Sequence, residues 1–217
     1  KFNNRFNRGT TDPRLSSTST SIDDAVRLMR SPALKAFEMD KIPAKEIERY
    51  GDTAFGRGAL LSKRLVEQGV RFVQINRGGF DTHGDNFTRM REHGEVMDPA
   101  LGSLLQDLSE SGMLEKTMVI MMSEFGRTPR INDNAGRDHW PKCFSCFMAG
   151  GGIKGGTVIG SSDEDGGMPK DNPVHVPDIH ATICHALGID PYKEVYTRQG
   201  RPMKLVDEGS KIEGLLA

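Results

Sequence analysis

Hydrophobic positions along the chain fall into two periods. Leu60, Leu61, Leu65 and Val66 recur at helical spacing behind Asp52-Thr53, an N-cap signal, and Gly69 closes the segment. This predicts a helix over about residues 52–68. The apolar run at 70–75, VRFVQI, then reads as a strand. From 87 to 111 a second stripe (Met90, Val96, Met97, Leu101, Leu104, Leu105, Leu108) predicts a long helical region. Pro99 divides it, because proline lacks an N–H and blocks the preceding turn. Residues 117–122 form an unalternating β-rich run, read as a strand buried on both faces. Strand, crossover helix and strand together make a right-handed βαβ unit.

Shorter signals fill in the rest. Ser21-Ile22-Asp23-Asp24 offers an N-cap for AVRLMR, Ser31-Pro32 begins a further helix, and 44–50 is weakly helical. A third strand is expected at 143–149, running into Gly150-Gly151-Gly152, and a short one at 157–159. Val176-Pro177-Asp178 caps a helix over 179–187, and Gly200-Arg201-Pro202 marks a turn in the tail. Residues 1–21 are polar and nearly devoid of aliphatics, and are expected to be a disordered or loosely docked lead-in. Residues 22–217 are expected to form part of one α/β domain.

This pattern places ionisable residues just beyond strand ends, where open α/β sheets gather their ligands. The loop after 70–75 holds Asp81 and His83. The loop after 117–122 holds Glu124 and Arg127, and it closes on Asp138, His139 and Trp140. Carboxylate oxygen and imidazole nitrogen suit zinc or another first-row divalent metal. An exposed turn would give the same Asp81-x-His83 spacing. Asp138 and His139 are adjacent, so they serve one metal and its surroundings, two neighbouring metals, or a cap and a surface histidine. Glu124 and Arg127 fit either a structural ion pair or a metal ligand beside an oxyanion clamp. No G-x-S-x-G, P-loop or dinucleotide fingerprint supplies a nucleophile or cofactor site. His93, His180 and His185 read as helix-surface or core residues, with His175 a weaker candidate.

Composition narrows the partners. A net charge of -1 over 217 residues points away from nucleic acid and anionic membranes. Apolar residues at 36% and 25 glycines imply a loop-rich protein with a modest sheet core. No apolar run is long enough to span a membrane. Cys143 and Cys146 would face opposite sides of a strand, so they read as ordinary buried thiols, and a third cysteine, Cys184, leaves the count odd. The chain opens on Lys1 without an apolar leader, and is expected to be a fragment of a longer protein.

The blocks GGFDTHGDN, SEFGRTPRIN, GRDHWP, MAGGGIKGGTVIGSSD, DIHATICHALGID and GRPMKLVDEG stand in that order. They resemble the C-terminal half of domain-of-unknown-function family 1501, a bacterial family placed with sulfatase-like proteins of the alkaline-phosphatase superfamily. The likeness is to planctomycete-type members and covers about Asp52 to the C-terminus. It implies a doubly wound, mostly parallel sheet with helices on both faces, its N-terminal part missing. It also implies a metal site on strand-end loops that hydrolyses phosphate or sulfate esters of small molecules or glycans. The metal residues would be Asp81, His83, Glu124, Asp138 and His139, and the catalytic clamp Arg127. Phe125 departs from the superfamily pattern, since it cannot bind a metal. The nucleophile and a first metal-binding Asp are expected in the missing part, and the family implies export to the periplasm or beyond. A second expectation is a non-catalytic binding or structural module with an incomplete metal site.

Overall fold

Thr53 opens a helix as its position predicts. Its Oγ1 accepts the Gly56 N–H at 3.0 Å, and Ala54–Glu67 follows as α-helix. Gly69, at φ +83°, lies just past its end. The computed structural model describes residues 13–217. The chain divides into two compact units, one ending at Asn76 and one covering Arg77–Ala217.

In the first unit a helix runs over Pro13–Met29, so residues 13–21 of the expected lead-in are helical, and residues 1–12 lie outside the described residues. Ser31 caps a 3-10 helix, Pro32–Phe37. Arg64 donates to the carbonyls of Ala36 and Lys35 at 2.8 and 2.6 Å, tying that turn to helix Ala54–Glu67. Helix Ala44–Arg49 ends on Tyr50, which is fully buried. Gly56 admits this approach, because a Cβ there would overlap the carbonyls of Tyr50 and Gly51. Residues 70–75 form no strand, and Phe72 is 80% exposed.

In the second unit, helix Asn86–Glu110 runs unbroken through Pro99, so the division the proline predicts does not occur. Its buried stripe is Ala100, Leu104 and Leu108. Strand Val119–Met121 pairs antiparallel with Phe147–Ala149, with Val119 opposite Ala149. Gly150 and Gly151, both at positive φ, bring the chain back beside Leu114, Thr117 and Met118, where a Cβ on either would overlap. Ser161–Ser162 pairs with Pro169–Asp171, and Glu194–Tyr196 with Pro202–Lys204 across the turn at Gly200. Helix Val176–Ala186 is closed at its start by Asp178, whose Oδ2 accepts the His175 N–H at 2.8 Å.

The expected doubly wound parallel sheet is therefore overturned. Among the described residues every sheet has two strands, and every pair is antiparallel. The βαβ unit fails at its first step, because 70–75 has no strand partner. It fails again at Val119–Met121, whose partner runs the opposite way and whose Met121 is exposed. A parallel sheet needs adjacent strands covered on both faces, and these short ladders provide neither. The expected strand at 157–159 is also absent, and Cys143 and Cys146 lie outside the strand at Phe147–Ala149 as free thiols, Cys146 exposed.

Candidate functional site

Two loops of the second unit clasp each other. Residues 77–85 lead into helix Asn86–Glu110. Residues 128–138 join the two-residue strands Gly126–Arg127 and His139–Trp140, which pair antiparallel with Arg127 opposite His139. The Asp85 N–H donates to the Asn134 carbonyl at 3.0 Å, the Asn86 N–H to Ala135 at 2.9 Å, and the Arg137 N–H to Thr82 at 3.0 Å. Buried Thr82 donates its hydroxyl to Asn86 Oδ1 at 2.6 Å. Loop-to-loop pairing of this density fixes side chains that are far apart in sequence.

The clasp brings Asp81, His83 and His139 together. Asp81 Oδ1 lies 3.0 Å from His83 Nε2 and 2.8 Å from His139 Nε2, and the two imidazole nitrogens are 3.2 Å apart. All three residues are exposed. Asp138 is adjacent but behind His83: its Oδ1 lies 2.7 Å from His83 Nδ1. An ionised carboxylate only accepts, so Nδ1 carries the proton and the Nε2 of a neutral His83 turns a lone pair to the cluster. Hydrogen bonds from His83 and then Asn132 hold Asp138 below the usual carboxylate range. Asp81 is lowered to about 2, first by its hydrogen bond with His139 and next by Arg127.

Arg127 braces the cluster. Its Nη2 donates to Asp81 Oδ1 at 2.7 Å and to the Phe80 carbonyl at 2.8 Å, and its Nη1 to the Arg137 carbonyl at 3.1 Å. Its carboxylate partner is Asp81 rather than Glu124, which is exposed and stands outside the cluster. Phe125 packs on the His139 ring, centroids 4.5 Å apart. His93, buried in the long helix, accepts from Arg77 Nε at 3.0 Å, donates to the Gly79 carbonyl at 3.0 Å and stacks on Phe80. It supports the first loop without joining the cluster. His175, His180 and His185 are exposed and also lie outside it.

Asn132 escaped the sequence reading. Its amide touches both loops, donating to the His83 carbonyl and to Asp138 Oδ1, each at 3.1 Å. The only local hint was turn chemistry, the Asn-Asp-Asn-Ala-Gly run at 132–136.

Chemically, two imidazole nitrogens and a carboxylate oxygen form a donor set for zinc. Donors on tetrahedral zinc at about 2.0–2.1 Å stand roughly 3.3 Å apart, close to the separations seen here. Protonation of both rings is the other way to relieve the lone-pair contacts.

The fold and site thus define a protein of helices and short antiparallel strand pairs with an exposed Asp-His-His cluster on two clasped loops. A family model described as "Protein of unknown function (DUF1501)" matches residues 1–216, and the chain belongs to that family. No curated protein and no solved structure matches it. Among the described residues no helix is long and apolar enough to cross a membrane.

Proposed function

We propose that the protein binds a divalent metal ion, zinc fitting best, through Asp81, His83 and His139, and uses it to hydrolyse phosphate or sulfate esters. The observation behind this reading is the convergence of three donor atoms to within 2.8–3.2 Å of one another on an exposed face. Three protein ligands with an open position are the pattern of catalytic rather than structural zinc. Asp138 on the far nitrogen of His83 matches the carboxylate that orients a metal-bound imidazole. A metal bound there would polarise an ester oxygen and acidify a coordinated water. Arg127 keeps Asp81 aimed at the two rings, and Phe125 packs on the His139 ring. The ester class, of small molecules or glycans, comes from the sequence resemblance to sulfatase-like proteins; that wider kinship is part of the proposal, without the parallel sheet.

One observation favours the second reading, a non-catalytic metal-binding module. Ser123 and Thr128, the hydroxyls flanking Glu124, donate to the carbonyls of Phe125 and Arg130 and are not aimed at the cluster. Calorimetric zinc titration of the protein and of H139A tests the metal site. Binding in the wild type that weakens at least tenfold in H139A is expected, and equal affinity would sink it. Release of nitrophenol from its phosphate and sulfate esters by the zinc-loaded protein separates the two readings, and zinc binding without hydrolysis would leave the module.

A further inference from the structure

We propose that Asn132 is the positioning residue of this site: it holds the Asp138 carboxylate on His83 Nδ1 and so fixes which nitrogen of His83 faces Asp81 and His139. Its amide uses its whole hydrogen-bonding capacity. Oδ1 accepts the N–H groups of Asn134 and Gly136 at 3.0 and 2.9 Å. Both partners are donors, which settles the orientation of the amide and turns Nδ2 toward acceptors. Those acceptors are the His83 carbonyl and Asp138 Oδ1, each at 3.1 Å. The backbone of Asn132 is closed in the same way: its N–H donates to the Gly136 carbonyl at 2.9 Å, and its carbonyl accepts the Ala135 N–H at 3.1 Å. The donor is therefore held rigidly.

Asp138 needs such a donor. Thr128 pins only its main chain: the Thr128 N–H donates to the Asp138 carbonyl at 2.9 Å, and the Asp138 N–H donates to the Thr128 hydroxyl oxygen at 3.1 Å. The Asp138 side chain is 54% exposed, so water competes for its oxygens. Asn132 and His83 donate to the same oxygen, Oδ1, and together set its direction. One amide thus reaches His83 twice, directly at its carbonyl and through Asp138 at its ring. Groups that orient a metal-ligating imidazole change metal affinity by about 10- to 100-fold. This consequence rests on the metal reading, whereas the proton position on His83 does not.

The test uses N132A, N132S, D138A and N132A/D138A. Serine retains a short acceptor for the turn but cannot reach Asp138. Nitrogen-15 NMR of the metal-free proteins, at a pH where the imidazoles are neutral, reads the His83 tautomer. Thermal unfolding checks each fold. The Nδ1–H form is expected to dominate in the wild type and to lose its dominance in D138A and in both single Asn132 variants. Zinc affinity by calorimetry is expected to fall about tenfold or more in each single variant. N132A/D138A should lose less affinity than the two single losses added together, since Asn132 acts in large part through Asp138. Wild-type tautomers in N132A and N132S, or losses of affinity that add in the double variant, would overturn the proposal. Absence of zinc binding in the wild type would instead remove the metal reading, and the His83 tautomer would still decide the role of Asn132.

Discussion

Gly136 lies against the main chain of His83 so closely that a Cβ on Gly136 would overlap the His83 carbonyl and the Gly84 nitrogen. At this contact the two loops of the site pass each other, and only a glycine lets them do so.

Gly136→Ala should therefore push the loops apart. Overpacking of this kind costs about 1–3 kcal/mol. The 3.2 Å approach of His83 to His139 crosses the same seam and would widen with it. Lower thermal stability and at least tenfold weaker zinc binding are expected together. A variant that melts and binds zinc like the wild type would show that the seam can open freely.

What was legible in the sequence was local. Thr53 and Asp178 announced helix starts because a cap needs only residues within three or four positions. Asp81, His83, Asp138 and His139 could be singled out as candidates because residue type and loop position are written in the chain. Their convergence could not, because it depends on the pairing of Arg127 with His139 across an eleven-residue excursion and on the close pass at Gly136. The sheet was misread for a related reason. Residues 70–75 and 117–122 have the composition of buried strands, but composition says nothing about whether a partner exists or which way it runs. Val119–Met121 found an antiparallel partner at Phe147–Ala149, and 70–75 found none among the described residues.

Pro99 stands within helix Asn86–Glu110, where it can give no N–H to the Glu95 carbonyl. Proline in a helix interior is about 3 kcal/mol less favourable than alanine. Its stiffening of the unfolded chain returns up to about 1 kcal/mol. Pro99→Ala should thus stabilise the protein by about 2 kcal/mol, raising the midpoint of thermal unfolding. A lower midpoint would mean that the ring packs in a way that outweighs the missing hydrogen bond.

Asp178 joins the start of helix Val176–Ala186 to the tail, accepting the N–H of His175 at 2.8 Å and of Ser210 at 2.9 Å. These bonds, Ser210 first, lower its pKa. A lowered folded-state pKa means the contribution is full above the ordinary carboxylate value and is lost as pH falls through the folded one. Asp178→Ala should cost about 1–2 kcal/mol near neutrality. The gap between wild type and variant should close in strong acid. Chemical denaturation at several pH values reads this directly, and a gap constant from neutrality into strong acid would rule the bonds out as its source.

Arg127 and Asp81 make the sharpest electrostatic case. Asp81 titrates at about 2, through its hydrogen bond with His139 first and with Arg127 second. Its ordinary value is about 3.9. The ionised form is therefore favoured by folding, so its support of the clasp is complete above about 4 and is withdrawn as pH falls toward 2. Arg127→Met removes one of the partners that lower it and leaves His139 and His83 in place. The Asp81 midpoint, followed by carbon-13 NMR of its carboxylate, should rise toward the ordinary value without reaching it. Arg127 also spans the carbonyls of Phe80 and Arg137, so the variant loosens both loops at once. Zinc affinity at neutral pH, where Asp81 stays ionised in either protein, then sets the loosening against the loss of a cation that repels the metal. A fall in affinity is expected there, because Arg127 sets the direction of the carboxylate and ties the two loops together. An unchanged Asp81 midpoint would show that the contact at 2.7 Å does not govern its ionisation.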